Sequence, residues 1–134
     1  MKLAVDIGNT ALSCGLFDNQ NIIKKFSSNT INKFEDNLSD FYNYKINKVI
    51  ISSVVPKLTG KYKKILNDIY NCKIELVNYK NCRLSLKVPR PETIGNDRLC
   101  NIIATIKLYT APAIIVDFGT ATTYDVINSN DEFI

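Results

Sequence analysis

The chain has 134 residues, of which 46% are hydrophobic and 22% charged, with a formal net charge of +4 and no histidine. This length suits one domain with a core of its own, and the composition excludes disordered and fibrous proteins. No apolar run reaches the roughly 18 residues that a membrane-spanning helix needs, and Asp6 interrupts the first apolar stretch too early for a signal peptide. We therefore expect a cytoplasmic protein that is neither secreted nor inserted in a membrane.

The basic residues are scattered along the chain, which argues against a nucleic-acid-binding protein. Only Lys61, Lys63 and Lys64 approach a cluster, and their spacing fits the solvated face of a helix better. The cysteines form no CxxC pair, and without histidine they do not complete a common zinc site. The absence of histidine also excludes Ser-His-Asp and Cys-His catalysis, so any general base must be a carboxylate, a lysine or a tyrosine.

The first part of the chain predicts a β-meander followed by a helix. Residues 2–7 form an apolar strand, residues 11–17 a second strand and residues 22–26 a third, with turn-forming residues between them. Apolar residues at helical spacing then predict a helix over residues 31–43.

Strands and helices alternate after the meander. Residues 49–51 predict a buried strand, the apolar spacing over 58–69 predicts an amphipathic helix, and residues 73–77 alternate as a strand. This order predicts an α/β fold with a mixed sheet.

The last part of the chain begins with a predicted connector and ends in strands. Residues 84–98 contain two prolines and a glycine, and a helix is predicted over 99–109. Residues 113–118 and 122–127 predict two strands, and residues 132–134 predict the start of a third.

Two segments of the chain resemble each other, because each is an apolar strand followed by Asp-x-Gly and a turn that contains threonine. The first holds Asp6 and Gly8, and the second holds Asp117 and Gly119. Glycine lets backbone N–H groups approach a phosphate, threonine hydroxyls donate to it, and an aspartate can hold a hydrated Mg²⁺. The pair predicts duplicated halves that grip a nucleotide. The alternative is that both aspartates only cap tight turns.

A third polar motif, Gly95-Asn96-Asp97-Arg98, precedes the helix predicted over 99–109. An aspartate at a helix start is often an N-cap, and neighbouring Asp and Arg residues are often surface charges. In a chain without histidine, however, a carboxylate beside a phosphate site is the natural base for a hydroxyl nucleophile.

Together these motifs resemble the type III pantothenate kinases, which are members of the acetate kinase and actin-like superfamily. The resemblance rests on residues 6–10, residues 52–56, Pro91 with residues 95–98, and residues 117–123. It implies an α/β fold of the ribonuclease H-like and actin-like ATPase type with a mixed sheet over residues 1–110. An incomplete second copy of that domain is then expected to begin in residues 111–134.

The resemblance implies ATP-dependent phosphorylation of pantothenate at its terminal hydroxyl, the first step of coenzyme A synthesis. It assigns the first ATP phosphate loop to Asp6, Ile7, Gly8, Asn9, Thr10, Ala11, Leu12 and Ser13. It assigns pantothenate binding to Gly95, Asn96, Asp97, Arg98 and the position of Val88.

The resemblance also assigns individual roles. Asp97 is the expected proton acceptor, Thr120 contacts an ATP phosphate, and Asp6 lies near Mg²⁺. Asp117 is the expected ligand of a monovalent cation, potassium or ammonium. A homodimer is expected, with no nucleic-acid or membrane partner.

The sequence departs from the family at one substrate-binding position, and the chain is shorter than family members usually are. Val88 stands where the family usually has a tyrosine, and valine donates no hydrogen bond. Two alternatives therefore stand beside the kinase. One is a non-catalytic nucleotide-binding or regulatory accessory member of the superfamily, and the other is a relative of the sugar kinases with another hydroxyl substrate.

Overall fold

The N-terminal strands form the antiparallel meander that the sequence predicts. They are β1 (Lys2–Ile7), β2 (Leu12–Asp18) and β3 (Asn21–Ser28), paired in succession. The computed structural model describes residues 1–28, 38–119 and 121–134. Two compact units divide the chain, Met1–Leu76 and Val77–Ile134.

In the first unit, two parallel strands extend the meander to a five-stranded sheet. They are β4 (Lys48–Ser53) and β5 (Lys73–Leu76), and the strand order is β3-β2-β1-β4-β5. Strand β4 lies parallel to β1, and β5 lies parallel to β4. The mixed sheet of an α/β protein is therefore confirmed.

Helix α1 (Pro56–Tyr70) connects the two parallel strands and confirms the amphipathic helix predicted over 58–69. Pro56 begins the helix, where its fixed φ is favourable and its missing N–H costs no hydrogen bond. Asn71 ends it in the left-handed region with φ 42°, a conformation that asparagine adopts more readily than most residues.

The core of the first unit lies on one face of the sheet. It is formed by Leu3, Val5, Ile7, Leu12, Cys14, Leu16, Leu38, Phe41, Ile46, Val49, Ile51, Tyr62 and Leu66. Because successive strand residues point to opposite faces, Leu3, Val5 and Ile7 of β1 face this core and Asp6 faces the other side.

The helix predicted over residues 31–43 lies mostly outside the described residues. Within the described part, Ser39–Phe41 forms a short 3-10 turn. Leu38 and Phe41 are fully buried in the core of the first unit, so these two apolar positions are core residues, as their spacing suggests.

In the second unit, the connector predicted over 84–98 is more structured than expected. It contains the two-residue strand β6 (Ser85–Leu86) and a 3-10 turn over Pro91–Thr93. It also contains the first turn of helix α2 (Asn96–Leu108). The helix therefore begins at Asn96 and not at Leu99, because its first turn is polar and leaves no apolar period in the sequence.

The three C-terminal strands lie where they are predicted. They are β7 (Ala113–Phe118), β8 (Thr122–Ile127) and β9 (Glu132–Phe133). With β6 they form a four-stranded sheet in the order β6-β9-β8-β7, in which β6 and β9 are parallel. The buried core of this unit consists of Ile94, Leu99, Ile102, Ile127 and Phe133. In the described part of the chain, no helix is long and apolar enough to cross a membrane.

One side of the second sheet carries large apolar side chains that the described residues leave uncovered. Ile114 and Phe118 on β7 are 68% and 82% exposed, and Tyr124 on β8 is 66% exposed. Such a contiguous apolar surface is unusual on a soluble domain and typically meets another protein segment.

Candidate functional site

The first Asp-x-Gly segment forms a tight turn between β1 and β2. The backbone N–H of Gly8 donates to the carbonyl oxygen of Ala11 at 2.9 Å. A Cβ atom on residue 8 would lie only 3.0 Å from that same oxygen, so any larger residue would push the turn apart. Asn9 and Thr10 are exposed at its tip. Residues 6–11, which we call the Asp6 turn, therefore present backbone and small polar groups to solvent.

A row of polar side chains crosses four strands beside this turn. Asp6 is in register with Ser13 on β2 and with Ser52 on β4, and Ser13 is in register with Ser27 on β3. Residues in register share a face of the sheet, so all four lie on the side opposite the core. The Ser13 and Ser27 hydroxyls are hydrogen-bonded at 2.9 Å. The row offers only oxygen donors, which are the ligands that Mg²⁺ prefers.

The two serines at the end of β4 have different environments. Ser52 is 6% exposed, and its hydroxyl has no hydrogen-bond partner among the described residues. Ser53 lies on the core side, where its hydroxyl oxygen accepts the backbone N–H of Val55 at 3.1 Å and the hydroxyl of Thr59 at 2.8 Å. Ser53 therefore stabilises the start of α1, whereas Ser52 makes no such contribution.

Cys14 faces the core on β2 and is not a candidate nucleophile. Burial, and to a smaller extent the nearby Asp6 carboxylate, raise the pKa of Cys14 to about 12. The thiol therefore stays protonated at neutral pH, and the reactive thiolate is not formed.

In the second unit, the Gly95-Asn96-Asp97-Arg98 motif forms the start of α2. Gly95 is the N-cap residue, and its carbonyl oxygen accepts the backbone N–H of Leu99 at 3.1 Å. Asp97 is therefore not the N-cap, and that alternative is wrong. It lies half-buried in the first helical turn, where its Oδ1 accepts the backbone N–H of Arg98 at 2.8 Å. A carboxylate is favoured there by the helix dipole.

Arg98 pairs with an acidic residue that the sequence analysis missed. Its Nε donates to Oδ1 of Asp125 on β8 at 2.9 Å, and its Nη2 donates to the same oxygen. Asp125 is 1% exposed, and the Arg98 guanidinium also lies 5.8 Å from the centroid of the Phe133 ring. One signal could have revealed Asp125: it stands at an inward position of its strand, between Thr123 and Ile127.

The second Asp-x-Gly segment is described only in part. Asp117 is half-buried near the end of β7, in register with Thr123. A Cβ atom on residue 119 would lie 3.9 Å from Asp117 Oδ1, so the carboxylate lies beside the backbone of the turn. Thr120, the predicted phosphate contact, lies outside the described residues.

Val88 follows β6 and is half-buried against the apolar core of the second unit. Its side chain contributes packing in this position, and it offers no polar group to a ligand. Over residues 1–28, 38–119 and 121–134, no three His, Cys, Asp or Glu side chains gather as in a protein metal centre. A cation at Asp6 or Asp117 would therefore take most of its ligands from backbone, hydroxyl, water or phosphate oxygens.

Comparison with solved structures supports the fold. A candidate Baf family transcriptional activator from Campylobacter jejuni matches 98% of the chain with a TM-score of 0.55 and 22% identity, over 51% of its own length. The Lmo2764 protein of Listeria monocytogenes, a candidate N-acetylmannosamine kinase, matches 99% of the chain with a TM-score of 0.54 and 17% identity, over 48% of its length. The α/β fold of the chain is thus similar to the folds of these two proteins.

Comparison of sequences is more specific. The type III pantothenate kinase from Sulfurihydrogenibium is 38% identical over 99% of the chain and 58% of its own length. That from Thermomicrobium roseum is 34% identical over 100% of the chain and 56% of its own length. The chain therefore spans a little over half the length of these relatives. The family model for type III pantothenate kinases matches residues 2–134. The chain belongs to the type III pantothenate kinase family.

Proposed function

We propose that this chain carries the phosphate loop and the pantothenate-binding helix start of an enzyme that transfers the γ-phosphoryl group of ATP to pantothenate. The product is phosphopantothenate, and the reaction is the first step of coenzyme A synthesis. The observation that carries the proposal is the family match over residues 2–134, which includes every polar motif described above. The relatives that match the chain are themselves named type III pantothenate kinases.

The Asp6 turn is the proposed site of the ATP phosphates, with contacts from residues 6–13 and Thr120. Its tight backbone and exposed Asn9 and Thr10 suit close approach of phosphate oxygens. Mg²⁺ fits the oxygen donors of the polar row beside Asp6, and when bound it neutralises phosphate charge. Asp117 is the proposed ligand of potassium or ammonium, because its carboxylate and the carbonyl oxygen of Ala121 both lie within 4 Å of the position that a Cβ atom on residue 119 would take.

The start of α2 is the proposed pantothenate site, formed by residues 95–98 with Val88. Asp97 is the proposed base. Its Oδ1 is already engaged by the N–H of Arg98, so we assign the proton of the substrate hydroxyl to Oδ2. Transfer of that proton frees the hydroxyl oxygen to attack the γ-phosphorus, and ADP leaves. Positioning by the helix start supplies most of the remaining rate enhancement.

The whole protein is proposed to contain a second domain copy and to act in the cytoplasm as a homodimer. In this proposal residues 1–110 are the first actin-like half and residues 111–134 open the second. The uncovered apolar side chains of β7 and β8 support it, because a further part of the second half would bury Ile114, Phe118 and Tyr124.

The test is an ADP-release assay on the protein expressed from its complete reading frame. We expect turnover only when ATP, Mg²⁺ and pantothenate are all present, and a higher rate with potassium or ammonium than with sodium. A folded protein that binds ATP but gives no pantothenate-dependent ADP would contradict the proposal. Replacing pantothenate by hexoses in the same assay separates this function from that of a sugar kinase.

A further inference from the structure

The contact between Arg98 and Asp125 is unusual for an ion pair that serves only stability. Asp125 is 1% exposed and lies on the same face of β8 as the buried Ile127, which belongs to the apolar core of the second unit. Transfer of a carboxylate from water to such a place is costly, and buried ion pairs often contribute nothing net to folding. Both Arg98 donors bind the same oxygen, Oδ1, while Oδ2 is buried with no partner among the described residues. Stability alone does not explain this arrangement.

The pair fixes one edge of the guanidinium and leaves the other available. An arginine side chain has five N–H donors, and Asp125 takes Nε–H and one N–H of Nη2. The remaining donors, on Nη1 and Nη2, have no acceptor among the described residues, and the Arg98 side chain is 30% exposed. The Phe133 ring, 5.8 Å from the guanidinium carbon, restrains the group from another side. The outer edge of Arg98 is therefore held in one orientation toward solvent.

The supports of this contact are rigid elements. Leu99 and Ile102 of α2 pack with Ile127 of β8 and Phe133 of β9 in the core of the second unit. This packing brings together Arg98, which precedes Leu99 on the helix, and Asp125, which lies two residues before Ile127 on the strand. The hydrogen bonds that Arg98 donates to Asp125 also raise the pKa of Arg98, so the guanidinium stays charged at any pH at which the protein is folded.

We propose that Asp125 is a positioning residue, which holds the Arg98 guanidinium so that its outer edge binds the carboxylate of pantothenate. Asp125 itself does not touch the substrate. A guanidinium edge with parallel N–H donors matches a carboxylate in a two-point contact, and such contacts gain most when the donors are preorganised. The inference rests on the proposed function, because it takes pantothenate as the ligand of Arg98.

The test compares steady-state kinetics of the unsubstituted protein with those of Asp125→Asn, in the protein expressed from its complete reading frame. Loss of the charge-assisted contact is expected to raise the KM for pantothenate roughly 10- to 100-fold. The KM for ATP is expected to stay within about twofold, since uniform damage to the fold would move both constants. Asp131→Asn is the matched control: it removes a carboxylate from the same hairpin, at an exposed position with φ 59° that asparagine adopts readily.

A second measurement separates positioning from a general structural role. Arg98→Lys is expected to raise the KM for pantothenate, and the double variant Arg98→Lys/Asp125→Asn is expected to be little worse than Arg98→Lys alone. Non-additivity of this kind shows that Asp125 acts through Arg98. If Asp125→Asn does not fold, Asp125→Glu keeps the charge and displaces the oxygen by one methylene group, and it is expected to raise the same KM.

The outcomes distinguish failure of the role proposed for Asp125 from failure of the proposed function. Turnover with an unchanged pantothenate KM in the Asp125 variants, or effects that multiply in the double variant, would overturn the role of Asp125 alone. Absence of pantothenate-dependent turnover in the unsubstituted protein would overturn the proposed function and this inference with it.

Discussion

The two units bury their sheets to different degrees. In the first unit, Leu3, Ile7 and Leu16 of the sheet have no exposed surface, and α1 covers the face on which they lie. In the second unit, β7 turns Ile114 and Phe118 toward solvent although both are large and apolar. The first unit thus buries its core with its own residues, whereas the second has an apolar sheet face that its described residues leave exposed to solvent. Polar residues proposed for function occur in both units.

The largest expected effect separates the roles of the two units. Asp97→Asn, in the second unit, is expected to lower kcat about 10²- to 10⁴-fold, because the amide cannot accept the hydroxyl proton. Its Kd for ATP should be unchanged. Asp6→Asn, in the first unit, is expected to weaken MgATP binding instead. Turnover assays with isothermal titration of MgATP measure both.

The matched control for Asp97→Asn is Asp68→Asn, since Asp68 is an exposed helix carboxylate of α1 with no proposed role. It is expected to leave kcat and ATP binding unchanged. Retention of kcat in Asp97→Asn would show that Asp97 is not the base. Loss of ATP binding in that variant would show that ATP binding is not confined to the first unit.

The next effect compares the two apolar surfaces directly. Leu66→Ala in α1 removes a fully buried side chain and is expected to lower the free energy of unfolding by about 2–5 kcal/mol. In the 134-residue chain, Ile114→Thr on β7 is expected to change it by about 0.5 kcal/mol or less, because its side chain is exposed there. Urea unfolding measures both, with Asn67→Ala as the surface control on α1. In the protein expressed from its complete reading frame the loss in Ile114→Thr is expected to be larger, because the proposed second half buries Ile114, and an equally small change there would contradict that proposal.

A smaller effect of opposite sign is expected at the two serines of β4. Ser52→Ala removes a buried hydroxyl that has no hydrogen-bond partner among the described residues, and it is expected to raise the free energy of unfolding by about 1 kcal/mol. Ser53→Ala removes the acceptor of the Val55 N–H and is expected to lower it by a similar amount, about 1 kcal/mol. The two variants serve as controls for each other. Equal losses in both would show that Ser52 has a partner after all.

The smallest expected effect is a pH dependence of the folding stability, to which one glutamate in each unit contributes. Hydrogen bonds from Lys48 and Lys73 lower the pKa of Glu75 to about 2 in the first unit. Asn128 and Lys87 lower the pKa of Glu132 in the second. A lowered folded-state pKa gives stability that is present above the unfolded pKa and is lost as the pH falls through the folded value.

Thermal unfolding between pH 6 and pH 2 therefore tests this contribution. For Glu75, whose ordinary pKa is 4.5, the loss is expected between about pH 4.5 and pH 2. Glu75→Gln is expected to reduce the pH dependence of the melting temperature in that range. The reduction is expected to be small, because solvent around the carboxylate screens its contacts with the lysines. Glu132→Gln is the equivalent variant of the second unit. An unchanged slope in Glu75→Gln would show that its lysine contacts do not persist in solution.

Local patterns predicted most of the strands. The KLAVDI segment is a short, mostly apolar run followed by turn-forming residues, and its predicted bounds as β1 are confirmed. The predicted bounds of β7 and β8, on either side of a turn that contains glycine, are confirmed as well. The first turn of α2 was missed because Asn96, Asp97 and Arg98 contribute no apolar period, although they have helical geometry. Strand β6 was missed because it is two residues long and pairs only with β9.

The candidate site was predictable where its residues are neighbours in sequence. The Asp6 turn and the start of α2 each appear as a short motif with a glycine and an acid. The pair of Arg98 and Asp125 spans 27 residues and depends on the packing of α2 against β8. No local pattern encodes such a contact, so the sequence reveals only an acid at an inward strand position.

The pairing of β6 with β9 determines which unit can fold first while the chain is being synthesised on the ribosome. The sheet of the first unit is closed by β5, so all of its strands are available once Leu76 has emerged. Strand β6 must wait for Phe133, whose carbonyl oxygen accepts the N–H of Lys87 at 2.8 Å. Because domains fold as their residues emerge, the Asp6 turn, which is the proposed phosphate site, is expected to form while the residues proposed to bind pantothenate still lack their partner strands.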